Sequence, residues 1–245
     1  MQFIAGRVLI LGATSDVGAA AARVLLDQGA IPVLVGRSSE RLSAVMRDLK
    51  TEVACHVCNL SSPQDIKALF AKFSPSSPPI GMLYAAGLHR TIPLRVMTDV
   101  HTNASFSVNV TGFLQCVRWF AKVAGDSGGS IVAVSSISNR LVEPGLIGYG
   151  AAKAALTAAV RGAAAELASK RIRVNSVAPG WLEGTTAESV KARLGAEAVT
   201  SLEALYPLGF GQPKDVAMAA AFLLSESARW ITGAELVVDG GRSLA

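Results

Sequence analysis

Arg7-Val8-Leu9-Ile10-Leu11-Gly12-Ala13-Thr14-Ser15-Asp16-Val17-Gly18 carries the first strand-turn-helix signal of the chain. Residues 7–11 read as a strand buried on both faces, and a glycine-bracketed turn follows at once. Val17, Ala21, Val24, Leu25 and Gln28 then share one helical face before Gly29 supplies a C-terminal stop. Glycines at 12 and 18 permit a tight turn and let backbone N–H groups approach a pyrophosphate, which the positive end of the helix favours. Any strand-to-helix connection could use glycine; the strand before and the helix after favour the nucleotide reading. Gly12, Thr14, Ser15, Asp16, Val17 and Gly18 are therefore candidate cofactor contacts. A carboxylate aimed at a diphosphate would repel it. Asp16 is thus expected to turn its side chain back as a cap on the helix N-terminus, leaving only its backbone toward the ligand.

Outward from this unit, short apolar runs alternate with segments of helical period almost to the end of the chain. Strands are predicted over 31–36, 53–57, 80–85, 130–135, 173–178 and 235–238, and helices over 39–49, 63–73, 105–123, 149–169 and 213–224. Such alternation builds βαβ units with right-handed crossovers, so the expected fold is an α/β doubly wound parallel sheet of the Rossmann type. The 74–79 Ser/Pro stretch is too short to divide it, and residues 1–245 are read as one domain. Its cofactor half covers about 1–125 and its catalytic and substrate half about 126–245. Ligands bind such sheets at the carboxyl ends of the strands.

Composition narrows the function classes. Of 245 residues, 51% are hydrophobic and 17% charged, against about 25% charged in an average domain, which excludes a disordered chain. The densest apolar run, 217–224, is less than half of the roughly 18–20 residues that a spanning helix needs, so no membrane span is expected. Arg7 interrupts the N-terminal segment before a secretory core could form, and a cytoplasmic location is expected. Net charge is +5, but the basic residues are scattered and aromatics are 6%, so nucleic acid is not an expected partner. Cys55, Cys58 and Cys116 cannot all pair within one chain and fit a reducing compartment. Cys55-His56-Val57-Cys58 imitates a metal motif; read as a core strand, its cysteines point to opposite faces and no metal is expected. The apolar excess predicts self-association.

At the end of the second strand an acid would bond a ribose 2′-OH, whereas a basic residue would accept a 2′-phosphate. The chain has Gly36-Arg37, and the planar donors of Arg37 predict NADP(H) over NAD(H).

Tyr149-Gly150-Ala151-Ala152-Lys153 opens an Ala-rich helix with Tyr149 and Lys153 on one face. Ser135-Ser136 ends the fifth strand; Asn109 lies in Val108-Asn109-Val110-Thr111-Gly112, and Arg173-Val174-Asn175-Ser176-Val177-Ala178-Pro179-Gly180 follows. On these motifs the chain resembles the short-chain dehydrogenase/reductases over essentially its whole length. Its tail, from Tyr206-Pro207-Leu208-Gly209 to Val238-Asp239-Gly240-Gly241, is most similar to 3-oxoacyl-(acyl-carrier-protein) reductases and related secondary-alcohol dehydrogenases.

The resemblance implies a catalytic tetrad. Tyr149 would be the general acid in ketone reduction and the base in alcohol oxidation, since free tyrosine at pKa about 10 needs help to ionise at neutrality. Lys153 would favour the phenolate and hold the nicotinamide ribose, Ser136 would hydrogen-bond the substrate oxygen, and Asn109 would anchor a water leading to Lys153. Asn59 and Leu60 match the adenine contact, Ala85, Ala86 and Gly87 a segment usually written Asn-Ala-Gly, and Pro179, Gly180 and Leu182 the loop beside the nicotinamide. Departures from the family pattern at Leu11, Asp16, Asn59 and Ala85 cluster in the cofactor half, and Thr185 is shifted from its usual place.

Selectivity is expected from the 183–205 segment and from Asn139, Leu141, Leu146 and Trp181, whose mostly apolar character suits an aliphatic or alicyclic ketone, free or carrier-bound. Lys170-Arg171 and Arg173 are candidates for docking an acidic carrier, or else simply complete a helix. The expected activity is therefore a ketoreductase, with 3-oxoacyl-(acyl-carrier-protein) reduction and a non-catalytic nucleotide-binding scaffold as alternatives. A nucleotide-sugar epimerase is disfavoured by the 65 residues after Gly180, too few for a second domain. The resemblance also implies a homotetramer.

Overall fold

A computed structural model describes residues 6–244, apart from the side chain of Thr186. In chain order the elements are β1 (Arg7–Leu11), α1 (Asp16–Asp27), β2 (Ile31–Gly36), α2 (Ser39–Leu49), β3 (Cys55–Val57), α3 (Pro63–Phe70) and β4 (Gly81–Tyr84). They continue as α4 (Asp99–Phe106), α5 (Gly112–Ala124), β5 (Gly129–Val134), α6 (Ile147–Leu167), β6 (Ile172–Pro179), α7 (Thr185–Leu194), α8 (Ala196–Glu203), α9 (Pro213–Leu224) and β7 (Glu235–Val238). All strand pairs are parallel, in the order β3-β2-β1-β4-β5-β6-β7. This is the doubly wound sheet that the alternation predicts. Order reverses at β1, where Leu9 pairs with Val33 of β2 on one side and Met82 of β4 on the other.

Successive strand residues feed two separate cores. Leu9, Leu11, Val33, Met82 and Ile131 pack against Phe70, Phe113, Phe120 and Leu156 of α3, α5 and α6. Val8, Ile10, Leu34, Leu83 and Val132 pack against Leu25, Leu42 and Val216 of α1, α2 and α9. Burial on both faces is why the strands read as unbroken apolar runs rather than alternating ones.

Two expectations are corrected. The 53–57 segment is not a core strand: β3 spans three residues at the sheet edge, Val57 is 63% exposed and Cys55 is exposed, while Cys58 beyond the strand is buried. An edge position, which periodicity cannot distinguish, accounts for the difference. The 105–123 helix is also divided, because residues Ser107–Thr111 form a π-helical turn between α4 and α5. Tyr84 Oη donates to Val108 O at 2.6 Å in that turn, and Asn109 is fully buried. Gly112 closes it where a Cβ would lie 2.3 Å from Leu60 O and 2.7 Å from Tyr84 Oη. Helix α6 begins two residues earlier than predicted, which places Tyr149 in its first turn. No helix among the described residues is long and apolar enough to cross a membrane.

Candidate active site

The carboxyl ends of β1, β4, β5 and β6 open into one cavity of about 1320 Å³, with α7 and α8 forming its outer wall. At one end the glycine turn is a backbone surface. Gly12 has φ +91°, and a Cβ on it would lie 2.5 Å from Ala86 N; one on Gly18 would lie 2.2 Å from Gly12 O. Side chains are excluded from both positions, as a bare backbone cradle at a helix N-terminus requires. Thr14, Ser15, Asp16 and Val17 also line the cavity, as do Ala85, Ala86 and Gly87 opposite. Ala85 keeps the central strands tied through its backbone, its N–H donating to Leu11 O at 2.8 Å.

The capping expected of Asp16 falls to its neighbour. Ser15 has extended N-cap backbone geometry, and its Oγ accepts from Gly18 N–H at 3.1 Å. Asp16 is already inside the helix, and its carboxylate reaches across the mouth to accept from Thr185 N–H (3.0 Å) and Thr185 Oγ1 (2.9 Å). The N-cap position of α7 is Gly184, which has no side chain to offer. Asp16 therefore supplies the acceptor for that helix start from the first turn of α1, a favourable place for a carboxylate. Thr185, uncertain from the family pattern, is thereby engaged.

Farther along, Arg37 after β2 lines the cavity together with Arg41, whose guanidinium donates to Thr14 O at 2.9 Å. Arg41 was not singled out in the sequence, being one of several bases on an exposed helix face. Asn59 and Leu60 border the same end; the Asn59 N–H donates to Asp65 and its Oδ1 accepts from Ser61 N–H. At the other end lie Pro179, Gly180 and Leu182. A backbone cradle with guanidinium groups at one end and an open floor of polar side chains at the other fits a dinucleotide.

That floor brings Ser136, Tyr149 and Lys153 together, with Asn109 beneath. Ser136 follows β5 and caps a short turn, its Oγ accepting from Ser138 N–H at 3.2 Å. Tyr149 is half-buried; loss of solvent pushes its phenol up to about 12, against which the Ser136 hydroxyl works. Lys153 is 3% exposed, donates to Val134 O at 2.7 Å, and is brought down to about 7 by burial. Its Nζ lies 5.6 Å from the Tyr149 ring centroid. Asn109 Nδ2 donates to Ser105 O at 2.9 Å, while its buried Oδ1 has no partner. A Cβ on Gly87 would be 3.2 Å from that Oδ1 and 3.4 Å from Lys153 Nζ, so both atoms face one small space.

On the substrate side Leu141, Leu146 and Trp181 line the cavity as expected, but Asn139 does not: its amide donates to Glu235 and Thr157 instead. His89 does line it, its ring meeting Tyr149 edge-on at 4.8 Å between centroids. The only sequence signal for His89 was its position two residues beyond Gly87. The Lys170, Arg171 and Arg173 group lies at the amino end of β6, the rim opposite the cavity. Arg173 spends its guanidinium on Leu223 O and Ser225 O, so these bases do not border the mouth.

A family model described as enoyl-(acyl carrier protein) reductase matches residues 12–243. The chain is 31% identical over 241 residues to the 3-oxoacyl-(acyl-carrier-protein) reductase FabG of Rickettsia prowazekii, covering 95% of each. Among solved structures it is similar to an NADPH-bound short chain oxidoreductase of Pseudomonas aeruginosa described as containing an atypical catalytic center, with TM-score 0.88, 25% identity and 96% of each chain covered. It is also similar to a 7α-hydroxysteroid dehydrogenase complexed with NADH and 7-oxo glycochenodeoxycholic acid, with TM-score 0.89 and 26% identity over 98% of this chain and 95% of that one. Matched from its glycine turn to its last described turn, and by a full-length relative above 30% identity, the chain belongs to the short-chain dehydrogenase/reductase family and is an NAD(P)-dependent oxidoreductase.

Proposed function

We propose that this enzyme is an NADP(H)-dependent ketoreductase, interconverting a ketone and a secondary alcohol with Tyr149 as general acid/base. The observation that carries the reading is a desolvated phenol in the cavity floor, beside Ser136 and one helical turn from a buried lysine. Burial keeps Tyr149 protonated at neutral pH, the state a general acid needs. A carbonyl oxygen seated between Tyr149 and Ser136 would accept from both hydroxyls. The cofactor, when bound, supplies the hydride. Tyr149 gives its proton to the oxygen as alkoxide character develops, and the Ser136 hydrogen bond stabilises the same charge. Lys153, poised near neutrality, returns a proton to Tyr149; the unpartnered Asn109 Oδ1 is suited to hold a water beside Lys153 Nζ for its replacement. In alcohol oxidation the steps reverse, and protonated Lys153 favours the phenolate.

Gly12, Thr14, Ser15, Asp16 and Val17 would bind the diphosphate end, with Gly18 behind them closing the turn against Gly12 O; Asn59, Leu60, Ala85, Ala86 and Gly87 would take the adenosine side and centre, and Pro179, Gly180 and Leu182 the nicotinamide side. Arg37, with Arg41 beside it, supports NADP(H) over NAD(H) through a 2′-phosphate. We assign cofactor binding mainly to residues 1–125 and catalysis and substrate binding mainly to 126–245. Leu141, Leu146, Trp181, Val190 and Leu202 suit an aliphatic or alicyclic ketone. The name of the Rickettsia relative favours, as a second reading, a 3-oxoacyl thioester on a carrier protein. Three free cysteines accord with a cytoplasmic site of action. Exposed Val100 and Leu114 on α4 and α5, together with Trp230, Leu236 and Leu244 of the C-terminal segment, favour assembly as a homotetramer.

Tyr149→Phe is expected to bind NADPH with unchanged affinity yet lose at least about 100-fold in kcat against a ketone panel, the usual scale of general acid catalysis. Retained turnover would remove Tyr149 from its role. Arg37→Ala should lower the ratio of kcat/KM for NADPH to that for NADH by at least about tenfold, as expected for a lost charge-assisted phosphate contact. The same ratio in both proteins would dismiss Arg37 as the selector.

Lys153 makes stability pH-dependent. Its folded value is depressed to about 7, so between about 7 and the ordinary lysine value the unfolded chain holds a proton that the folded chain lacks, and stability rises with pH. The Tm of Lys153→Met without cofactor should exceed that of wild type most at pH 6.5, and the gap should shrink toward pH 9.5; a gap independent of pH contradicts the burial effect. Light scattering at micromolar concentration should report four subunits, and a monomer would refute the assembly.

A further inference from the structure

We propose that Glu235 is a positioning residue for the reaction, holding the Ser136 turn and the catalytic part of α6 in register through a buried hydrogen-bond cluster below the cavity floor. The inference rests on the roles given to Ser136 and Tyr149 above.

Glu235 opens β7, the edge strand, where a solvent-facing carboxylate would be unremarkable. Its side chain is instead only 5% exposed. A buried carboxylate is costly unless its oxygens are occupied, and here both are. Oε1 accepts from Asn139 Nδ2 at 2.6 Å and from Thr157 Oγ1 at 2.8 Å; Oε2 accepts from Arg140 at 2.6 Å. Thr157 Oγ1 lies 3.1 Å from Lys153 O, 2.9 Å from Ser135 Oγ and 3.1 Å from Asn139 Nδ2. A threonine hydroxyl has one proton, and the carboxylate is the stronger acceptor, so Thr157 donates to Glu235 and accepts from Ser135.

This wiring brackets Ser136. Ser135, one residue before it, is tied to Thr157; Asn139, three residues after, is tied to both Thr157 and Glu235. Thr157 lies one helical turn beyond Lys153 and two beyond Tyr149, so the acceptor that orders the serine turn also grips the helix carrying the other catalytic groups. Ser136 has no contact with Glu235; its position is inherited from the anchors on either side. Removing the carboxylate would take from the Asn139 amide the shorter of its two acceptors and turn the Thr157 hydroxyl to Lys153 O, so the bond network that fixes the turn to α6 would rearrange and the turn would move with it. Displacements of about 1 Å at such a site can cost up to about 100-fold in rate.

The test compares Glu235→Ala, Glu235→Gln and Thr157→Val with wild type, alongside Tyr149→Phe. Glu235→Ala should lower kcat for ketone reduction about 10- to 100-fold, with the Kd for NADPH within about twofold of wild type. Glu235→Gln, which retains an acceptor for Asn139 and Thr157, should recover part of that loss. Thr157→Val, of nearly equal volume, should lose activity in the same direction; it carries the test if Glu235→Ala does not fold. The pH profile of alcohol oxidation separates positioning from general damage. The Ser136 hydroxyl opposes the burial that raises Tyr149, so its displacement should move the rising limb to higher pH. Lys153 and His89, the titratable side chains facing Tyr149 from its own helix and from the loop after β4, are intact in all three variants. Wild-type kcat and an unmoved limb in folded Glu235→Ala or Thr157→Val would overturn the proposal. If Tyr149→Phe is inactive in that same experiment, the catalytic reading survives and only the positioning role fails.

Discussion

Where the strand order reverses, two lengths of backbone touch, and the cavity is built around that contact. The turn after β1 and the segment after β4 approach so closely that a single Cβ on Gly12 would lie 2.5 Å from Ala86 N. The closeness follows from β1 pairing with β4 directly, with no intervening strand, while the chain leaving β1 crosses to β2 on the other side. A crevice lined by main chain results, and α1 points its N-terminus into it. Because all seven strands are parallel, their carboxyl ends share one edge, and the segments after β4, β5 and β6, with Ser136, Tyr149 and Lys153 beyond β5, face the cavity that this crevice begins.

Packing imposes a second condition on that edge. With both faces covered by helices, polar groups near the strands need internal partners. Asn175, fully buried in β6, meets the condition by donating to Ile231 O and accepting from Ala234 N–H, fastening β6 to the approach to β7. Ser130 of β5 donates to Leu223 O of α9. Asn109 satisfies its amide nitrogen but leaves Oδ1 bare, and that atom faces Gly87 and Lys153. Other buried side-chain atoms, Ser176 Oγ of β6 among them, also lack a partner, but the Asn109 acceptor stands where the proposed proton path would use one.

Periodicity made the sheet legible because doubly buried strands leave unbroken apolar runs, and the helices between them leave a 3.6-residue stripe. It was blind where one residue breaks the period. The π-helical turn at residues 107–111 has the composition of ordinary helix; what makes it is the Tyr84 hydroxyl pulling on Val108 O and the bare Cα of Gly112 against Leu60, contacts between residues far apart in sequence. Tyr149, Lys153, Ser136 and Asn109 were legible as a set because their spacings matched a family pattern. Asp16 departs from its expected role for a physical reason: Ser15 caps α1, and the partner of Asp16, the start of α7, lies far away in sequence and meets it only in the folded chain. Asn139 lies next to the substrate flank in sequence, and only the folded chain brings Glu235 beneath it to take its amide.

The site is thereby built in two layers with opposite electrostatics. In the cavity floor, burial works against charge: it drives Tyr149 upward and Lys153 downward, so each is drawn toward its neutral form, and Lys153 is the one brought near neutrality. Below the floor, Glu235 is buried with three donors on its two oxygens, one of them the exposed guanidinium of Arg140. Groups that change charge in a reaction cannot also serve as fixed anchors, since their hydrogen-bond preferences change with each proton. The fold separates the two duties by depth. Groups with suppressed charge face the cavity, while a carboxylate with a donor on each oxygen lies one layer down and is coupled to them through Thr157 and the backbone on either side of Ser136.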